Sequence, residues 1–237
     1  MRTVRMPLMA LLVGLALGAP AQTSRGPVEF VTLAKEKTDT REITVTLPRF
    51  RFASSLKSPA ENAARTFANA QLTEFRSIFK DGDVGPGPKF LEAIPVIATA
   101  HPQLISFRYD VSTYTGGAHP NSFVKVFNYA VVGGRTRSLT LDNVLLRGKR
   151  AADFSKSVLV PALNRAKKER GGDPATTLNA ELWNSFVIHS EGLTWHFAPY
   201  AVGPYAEGGY EIKLTWAQMK GYINPTGPIR FARTAAR

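Results

Sequence analysis

The chain contains no cysteine in its 237 residues. That excludes disulfides, thiol catalysis, thiolate zinc sites and iron–sulfur ligation, and leaves stability to core packing alone. A chain of this length can bury a real core as one large domain or two small ones. Histidine is scarce: His101, His119, His189 and His196 are the four present, none three or four residues apart, so no helix face carries a ligand pair. One arrangement would set His189 against His196 across a turn at Ser190–Gly192, with Glu191 or Glu207 alongside. The plainer reading makes His196 the polar side of a strand whose other side is Leu193, Trp195 and Phe197, and no metal or other cofactor is expected. There is no nucleophile-elbow motif, no helix-borne histidine pair, no internal repeat, heptad run or low-complexity tract. Glycines at 82, 85 and 87 are interleaved with prolines, lack a following Lys-Ser/Thr, and make a linker rather than a phosphate cradle. Beyond the N-terminus no apolar run is long enough to span a bilayer.

What is present begins with an export signal. Arg2 and Arg5 precede the apolar run Pro7–Gly18, and Ala19-Pro20-Ala21 offers small residues at both positions of a cleavage site. The run is about 12 residues, against roughly 20 for a membrane-spanning helix. Cleavage after Ala21 and a periplasmic or secreted product are expected. The formal charge is +12, or +10 once Arg2 and Arg5 are removed. Such a balance favours anionic partners. Exported proteins meet little nucleic acid, so anionic envelope polymers are the more accessible class; a solvated surface tuned for solubility explains the charge equally well.

Along the chain, Val28–Leu33 and Glu42–Phe52 form a hairpin around the polar stretch Lys35–Arg41. Ile43, Val45 and Leu47 alternate with Thr44 and Thr46. Ser58-Pro59-Ala60-Glu61 predicts a capped helix start, with Ala64, Phe67, Ala68, Phe75, Ile78 and Phe79 on the buried face and an end near Lys80. Residues 92–99 and 103–114 are paired strands. The glycine-rich stretch Thr115–Asn121 leads into a return strand at 123–132. A second helix, 151–170, has Phe154, Val158, Ala162 and Ala166 on its apolar side and Pro161 within it, which kinks or splits it. Residues 178–183 suit a short helical turn. The densest aromatic content comes in 184–223: a hairpin, a Pro- and Tyr-rich crossing, a third strand and a closing turn.

An ordered series of motifs adds a family resemblance: Tyr114-Thr115-Gly116-Gly117-Ala118-His119, Phe127-Asn128-Tyr129, Leu139–Leu145, Phe186, Glu191–Phe197, Pro199-Tyr200, Pro204-Tyr205-Ala206, Gly208 and Tyr222. The series resembles the extracellular region of RsiV-type anti-sigma factors, a domain pair also found preceding some peptidoglycan deacetylase domains. The resemblance implies an α+β fold of antiparallel β-sheets with two main helices packed on them. After the signal peptide 1–21, it implies a smaller α+β domain over 22–100 and the main domain over 101–225, which leaves a tail over 226–237. In the anti-sigma factors this region binds lysozyme. No sigma-binding segment and no deacetylase domain are expected in these residues, and their basic charge would repel a cationic lysozyme at long range.

The candidate binding residues are Thr115, Gly116, Gly117, His119 and Asn121 in the glycine-rich loop, and Tyr200 and Tyr205 in the crossing. Adjacent glycines expose backbone donors, and His119 and Asn121 add side-chain donors and acceptors. Exposed tyrosines stack on sugar rings or anchor a partner. Against this stand a structural turn for the loop and core packing for the tyrosines. The expected function is a non-enzymatic envelope-binding module for a cell-wall glycan or a lysozyme-like protein. An envelope hydrolase and a basic protein held to anionic polymer are the alternatives.

Overall fold

The computed structural model describes residues 26–79 and 87–234. The expected signal peptide and most of the Asp81–Pro88 linker lie outside the described residues.

The fold is α+β, with one six-stranded and one three-stranded sheet. Strands β1 (Val28–Lys37) and β2 (Arg41–Phe50) form the expected hairpin, and Ile43, Val45 and Leu47 are buried as their alternation requires. β1 runs further into the Lys35–Arg41 stretch than the polar composition suggests. Glu36 pairs there with Ile43 and is bridged by Arg41 and Arg76, so its charge is satisfied on the strand. Helix α1 (Lys57–Ser77) comes next, burying Ala60, Ala64, Ala68, Leu72 and Phe75. The predicted capping box does not form, and no side chain caps this helix. Glu61 instead accepts the Phe50 backbone N–H at 2.7 Å, tying the first turn of α1 to the end of β2.

β3 (Lys89–His101) returns beside β2 in parallel, from Arg41 opposite Lys89 to Val45 opposite Ala93. This corrects the all-antiparallel expectation. α1 carries the chain back across the sheet, and such a crossover returns the next strand in the same direction. β4 (Leu104–Tyr114), β5 (Asn121–Val132) and β6 (Arg135–Ser138) complete an antiparallel meander in the order β1-β2-β3-β4-β5-β6. Ala100 and His101, on either side of the expected boundary, are the last two residues of β3 and pair with Ile105 and Leu104 of β4 in the same sheet.

The chain then leaves through α2 (Leu141–Val144) and enters a helical segment of three parts: α3 (Ala151–Phe154), a π-helical turn over Ser155–Leu159 and α4 (Val160–Glu169). Pro161 neither breaks nor ends the helix. It sits in the first turn of α4, where its missing N–H is tolerated, directly after the widened turn in which Val160 N–H reaches back to Ser155 O. The buried side holds Phe154, Leu159, Val160, Ala162, Leu163 and Lys167, so Phe154 and Ala162 of the expected row are in the core while Val158 and Ala166 are only partly buried against it.

α5 (Ala180–Trp183) precedes the second sheet, β7 (Phe186–Ile188), β8 (Gly192–Phe197) and β9 (Tyr210–Thr215), all antiparallel. α6 (Arg230–Thr234) lies in the stretch expected as a tail, where Ile229 and Ala232 are fully buried and Phe231 stacks on His101.

Two hydrophobic clusters result. One joins α1 to the six-stranded sheet through Ile105, Phe107, Tyr109 and Val111 of β4. The other joins the three-stranded sheet to α3 and α4, with the Phe154 ring stacked on Trp195. Between the sheets runs a polar seam. Thr99 donates to Ile188 O at 2.6 Å and Asn128 to Phe186 O at 2.8 Å, while Ser106 Oγ accepts the Ile188 N–H at 2.7 Å and donates to Asn128 at 2.6 Å. These side chains satisfy the outer edge of β7 as a neighbouring strand would.

Candidate functional site

The site arises from the alternation of β4. Its odd-numbered residues pack against α1, and its even-numbered ones face the second sheet. Leu104 and Ser106 are fully buried, whereas Arg108, Asp110 and Ser112 are progressively nearer the surface end of the strand and only half-buried. The sheets thus splay apart toward the β4–β5 turn, opening a groove of about 570 Å³. Glu92, Asp110, Ser122 and Val124 line it from the first sheet, and His196, Pro199, Tyr210 and Glu211 from the second.

At its inner end the groove holds a charged cluster. Arg108 grips Asp110 through two N–H groups, at 2.7 and 3.0 Å, and its third nitrogen lies 3.4 Å from His196 Nε2. His196 Nδ1 lies 3.4 Å from Glu211, which Lys213 also holds at 2.8 Å. Burial pushes the His196 pKa down to about 4, and the Arg108 charge adds to this against the opposing pull of Glu211. His196 is therefore neutral at pH 7. It occupies the polar side of β8 opposite Trp195, as expected. His189 shares that side of the sheet, but register places His189 beside Gly192 and His196 beside Ser185, so the two are not cross-strand partners. Among the described residues no group of three or more His, Asp or Glu side chains is arranged to hold a metal.

At the outer end, marked by Ser122 and Pro199, the two sequence-predicted stretches meet. The His119 ring stacks on Tyr205 with centroids 3.8 Å apart and planes 16° from parallel. Tyr200 completes the group at 5.4 Å from Tyr205 and 6.3 Å from His119, with its hydroxyl 3.4 Å from His119 Nε2. The Tyr205 hydroxyl donates to Pro120 O at 3.3 Å. Tyr200 is 62% exposed and, among the described residues, is the one non-glycine with a positive φ, 70°. A bulky side chain at such a φ is a true outlier that the surrounding structure must hold in place.

Thr115, Gly116 and Gly117 are exposed and shape the turn rather than joining the cluster. The two glycines take φ of 110° and 104°, and Tyr114 donates to Gly117 O at 2.9 Å. Asn121 is exposed at the first position of β5, opposite Thr113, and no hydrogen bond links it to the tyrosines.

Sequence reasoning missed the support beneath the crossing. Lys167 of α4 is buried, with its Nζ 2.5 Å from Glu207 and 2.8 Å from Val202 O. It reads in sequence as part of the exposed basic run 165–170. Its spacing from Val160 and Leu163 is the signal that marks it as inward-facing.

Among the described residues no helix is long and apolar enough to cross a membrane. No curated protein matches the chain. Solved structures share its fold, two of them as follows. One is a member of the DUF3298 family from Bacteroides fragilis NCTC 9343, with TM-score 0.62 and 18% identity, covering 88% of this chain and 98% of that one. The other is a DUF3298 family protein from Pseudomonas aeruginosa PAO1, with TM-score 0.56 and 15% identity, covering 84% and 94%. Residues 149–217, which contain the second sheet, the crossing and its support, match the model of the family described as "Protein of unknown function (DUF3298)". The chain is thus similar to DUF3298 proteins in fold over most of its length and in sequence over that segment.

Proposed function

We propose that the chain is an exported, non-catalytic binding module of the cell envelope that takes a cell-wall glycan in the groove, with Tyr200, Tyr205 and His119 as its aromatic platform. The observation that carries this reading is Tyr200, held at a positive φ with its side chain exposed, directly after Pro199 of the groove lining. Strain of this kind costs of order 1–3 kcal/mol, persists only where the surrounding structure over-determines it, and clusters at binding and catalytic sites. An aromatic face beside a row of hydroxyls and carboxylates suits a sugar, whose C–H face stacks while its hydroxyls find Ser122, Glu92 and Asp110. The groove carboxylates Asp110 and Glu211 are already engaged by Arg108 and Lys213, which suits fixed hydrogen-bond acceptors better than a proton-transfer pair.

The test is retention of purified protein on insoluble peptidoglycan at low and at physiological salt. The proposal expects retention at physiological salt, weakened about tenfold or more, or about 1.4 kcal/mol, by His119→Ala and by Tyr205→Ala. Retention only at low salt, indifferent to both substitutions, would assign the interaction to the +12 charge alone. Retention on immobilised lysozyme in place of peptidoglycan would return the ligand to the class that the anti-sigma-factor resemblance implies.

A further inference from the structure

The crossing that carries Tyr200 and Tyr205 is anchored from beneath by a device separate from the aromatic group. Lys167 is 1% exposed and donates to both Val202 O and Glu207. Tyr210 donates to the same Glu207 oxygen at 2.6 Å, and Arg170 donates to the carbonyls of Glu207 and Gly209 at 3.1 and 2.7 Å. The Lys167 hydrogen bond, with that of Tyr210 next, holds the Glu207 pKa below the ordinary carboxylate value. Two glycines close over the carboxylate: a Cβ at Gly172 or at Gly203 would lie 2.6 or 2.5 Å from Glu207 atoms, and the one at Gly203 would also lie 2.7 Å from Lys167 Nζ.

Burying a charged pair is a poor way to gain stability, because desolvation offsets most of the attraction and an apolar side chain of similar size does as well. On an α4 face otherwise built from Val160, Ala162 and Leu163, a methionine at 167 would satisfy packing. What the pair adds is a single geometry. Its bonds reach Val202 and Glu207, one on each side of Tyr205, and Val202 lies two residues after Tyr200. Hydrogen bonds to charged groups are strong and directional where water is excluded.

We propose that Lys167, with Glu207 as its counter-ion, is the positioning residue of the aromatic platform, fixing the crossing so that Tyr205 stacks on His119 and Tyr200 is held at its strained φ. The consequence for ligand affinity rests on the glycan-binding reading; the consequence for the platform's geometry does not. The experiment therefore reads both. The His119 ring protons lie over the Tyr205 face and take an upfield NMR shift from its ring current. Two variants release the anchor by different routes: Lys167→Met removes the charge, and Gly203→Ala leaves both charges in place but wedges them apart. Thr99→Val, which loosens the seam between the sheets at Ile188, serves as a destabilised control.

In either anchor variant with native far-UV circular dichroism, the His119 signals are expected to move toward those of a free imidazole, and glycan affinity to fall about tenfold or more. The control should leave the His119 signals in place at comparable loss of stability. Unchanged His119 signals in folded Gly203→Ala and Lys167→Met would overturn the positioning role whatever the ligand. Shifted signals in a protein whose wild type binds no glycan would uphold it and reject the binding reading instead.

Discussion

His196 sits where Arg108, Glu211 and the seam between the sheets meet, and its titration is a residue-scale consequence of that placement. Its pKa of about 4 in the folded protein lies well below the 6.5 of an unperturbed imidazole, with burial the larger cause and Arg108 the next. Between these values the unfolded chain binds a proton that the native state refuses. Stability therefore rises with pH across this window and is lost as pH falls from 6.5 toward 4. At 1.36 kcal/mol per unit the loss amounts to about 3 kcal/mol at most. His189, whose pKa burial and Arg108 also depress, acts in the same direction. Urea midpoints at pH 7.5 and pH 4.5 measure this, and His196→Gln should flatten the dependence. Asn128 makes a second residue-scale case: buried, it receives from Ser106 and donates to Phe186 O. Asn128→Ala leaves those groups unpaired and is expected to cost about 1–3 kcal/mol, read as a lower urea midpoint with an unchanged slope.

Among the elements, β8 and β9 approach so closely at Gly192 that a Cβ there would overlap the Leu214 carbonyl and press on the Thr215 Cα. Backbone atoms in a paired strand cannot swing aside. Gly192→Ala should therefore cost more than about 3 kcal/mol, measured as a large drop in melting temperature, and pull the second sheet off α3 and α4. At this scale it is also clear which features the sequence disclosed. Strands with one buried face announced themselves, since the 43/45/47 and 105/107/109/111 alternations are local patterns that survive into the fold. His119, Tyr200 and Tyr205 stood out by residue type, but that they touch was not legible, because their contact depends on two loops brought together across 81 and 85 residues of chain. The parallel pairing of β2 and β3 was hidden for the same reason. Lys167 was hidden by its residue type, which groups it with the exposed basic run 165–170 although its spacing from Val160 and Leu163 points inward. Ser58 and Glu61 misled because Phe50 N–H offered Glu61 a better partner than the helix end did.

Taken whole, the molecule places a groove lined with hydroxyls and carboxylates, an exposed aromatic platform and a buried anchor at one end of two splayed sheets, in a chain of net charge +12. Charge spread over the surface draws anionic polymer in a manner that salt screens over roughly 8 Å. A stacked sugar is held by contacts that salt leaves intact. The two modes are separable at Tyr200. A glycine accepts φ of 70° without strain, so Tyr200→Gly should leave stability within about 1 kcal/mol of the parent while removing the exposed ring. The decisive measurement is calorimetric titration of the purified protein and of this variant with soluble peptidoglycan fragments at physiological salt. Saturable binding in the parent, weakened about tenfold or more in a variant that melts at nearly the same temperature, is the predicted result. Equal affinity in the two proteins would contradict the platform and with it the glycan-binding account.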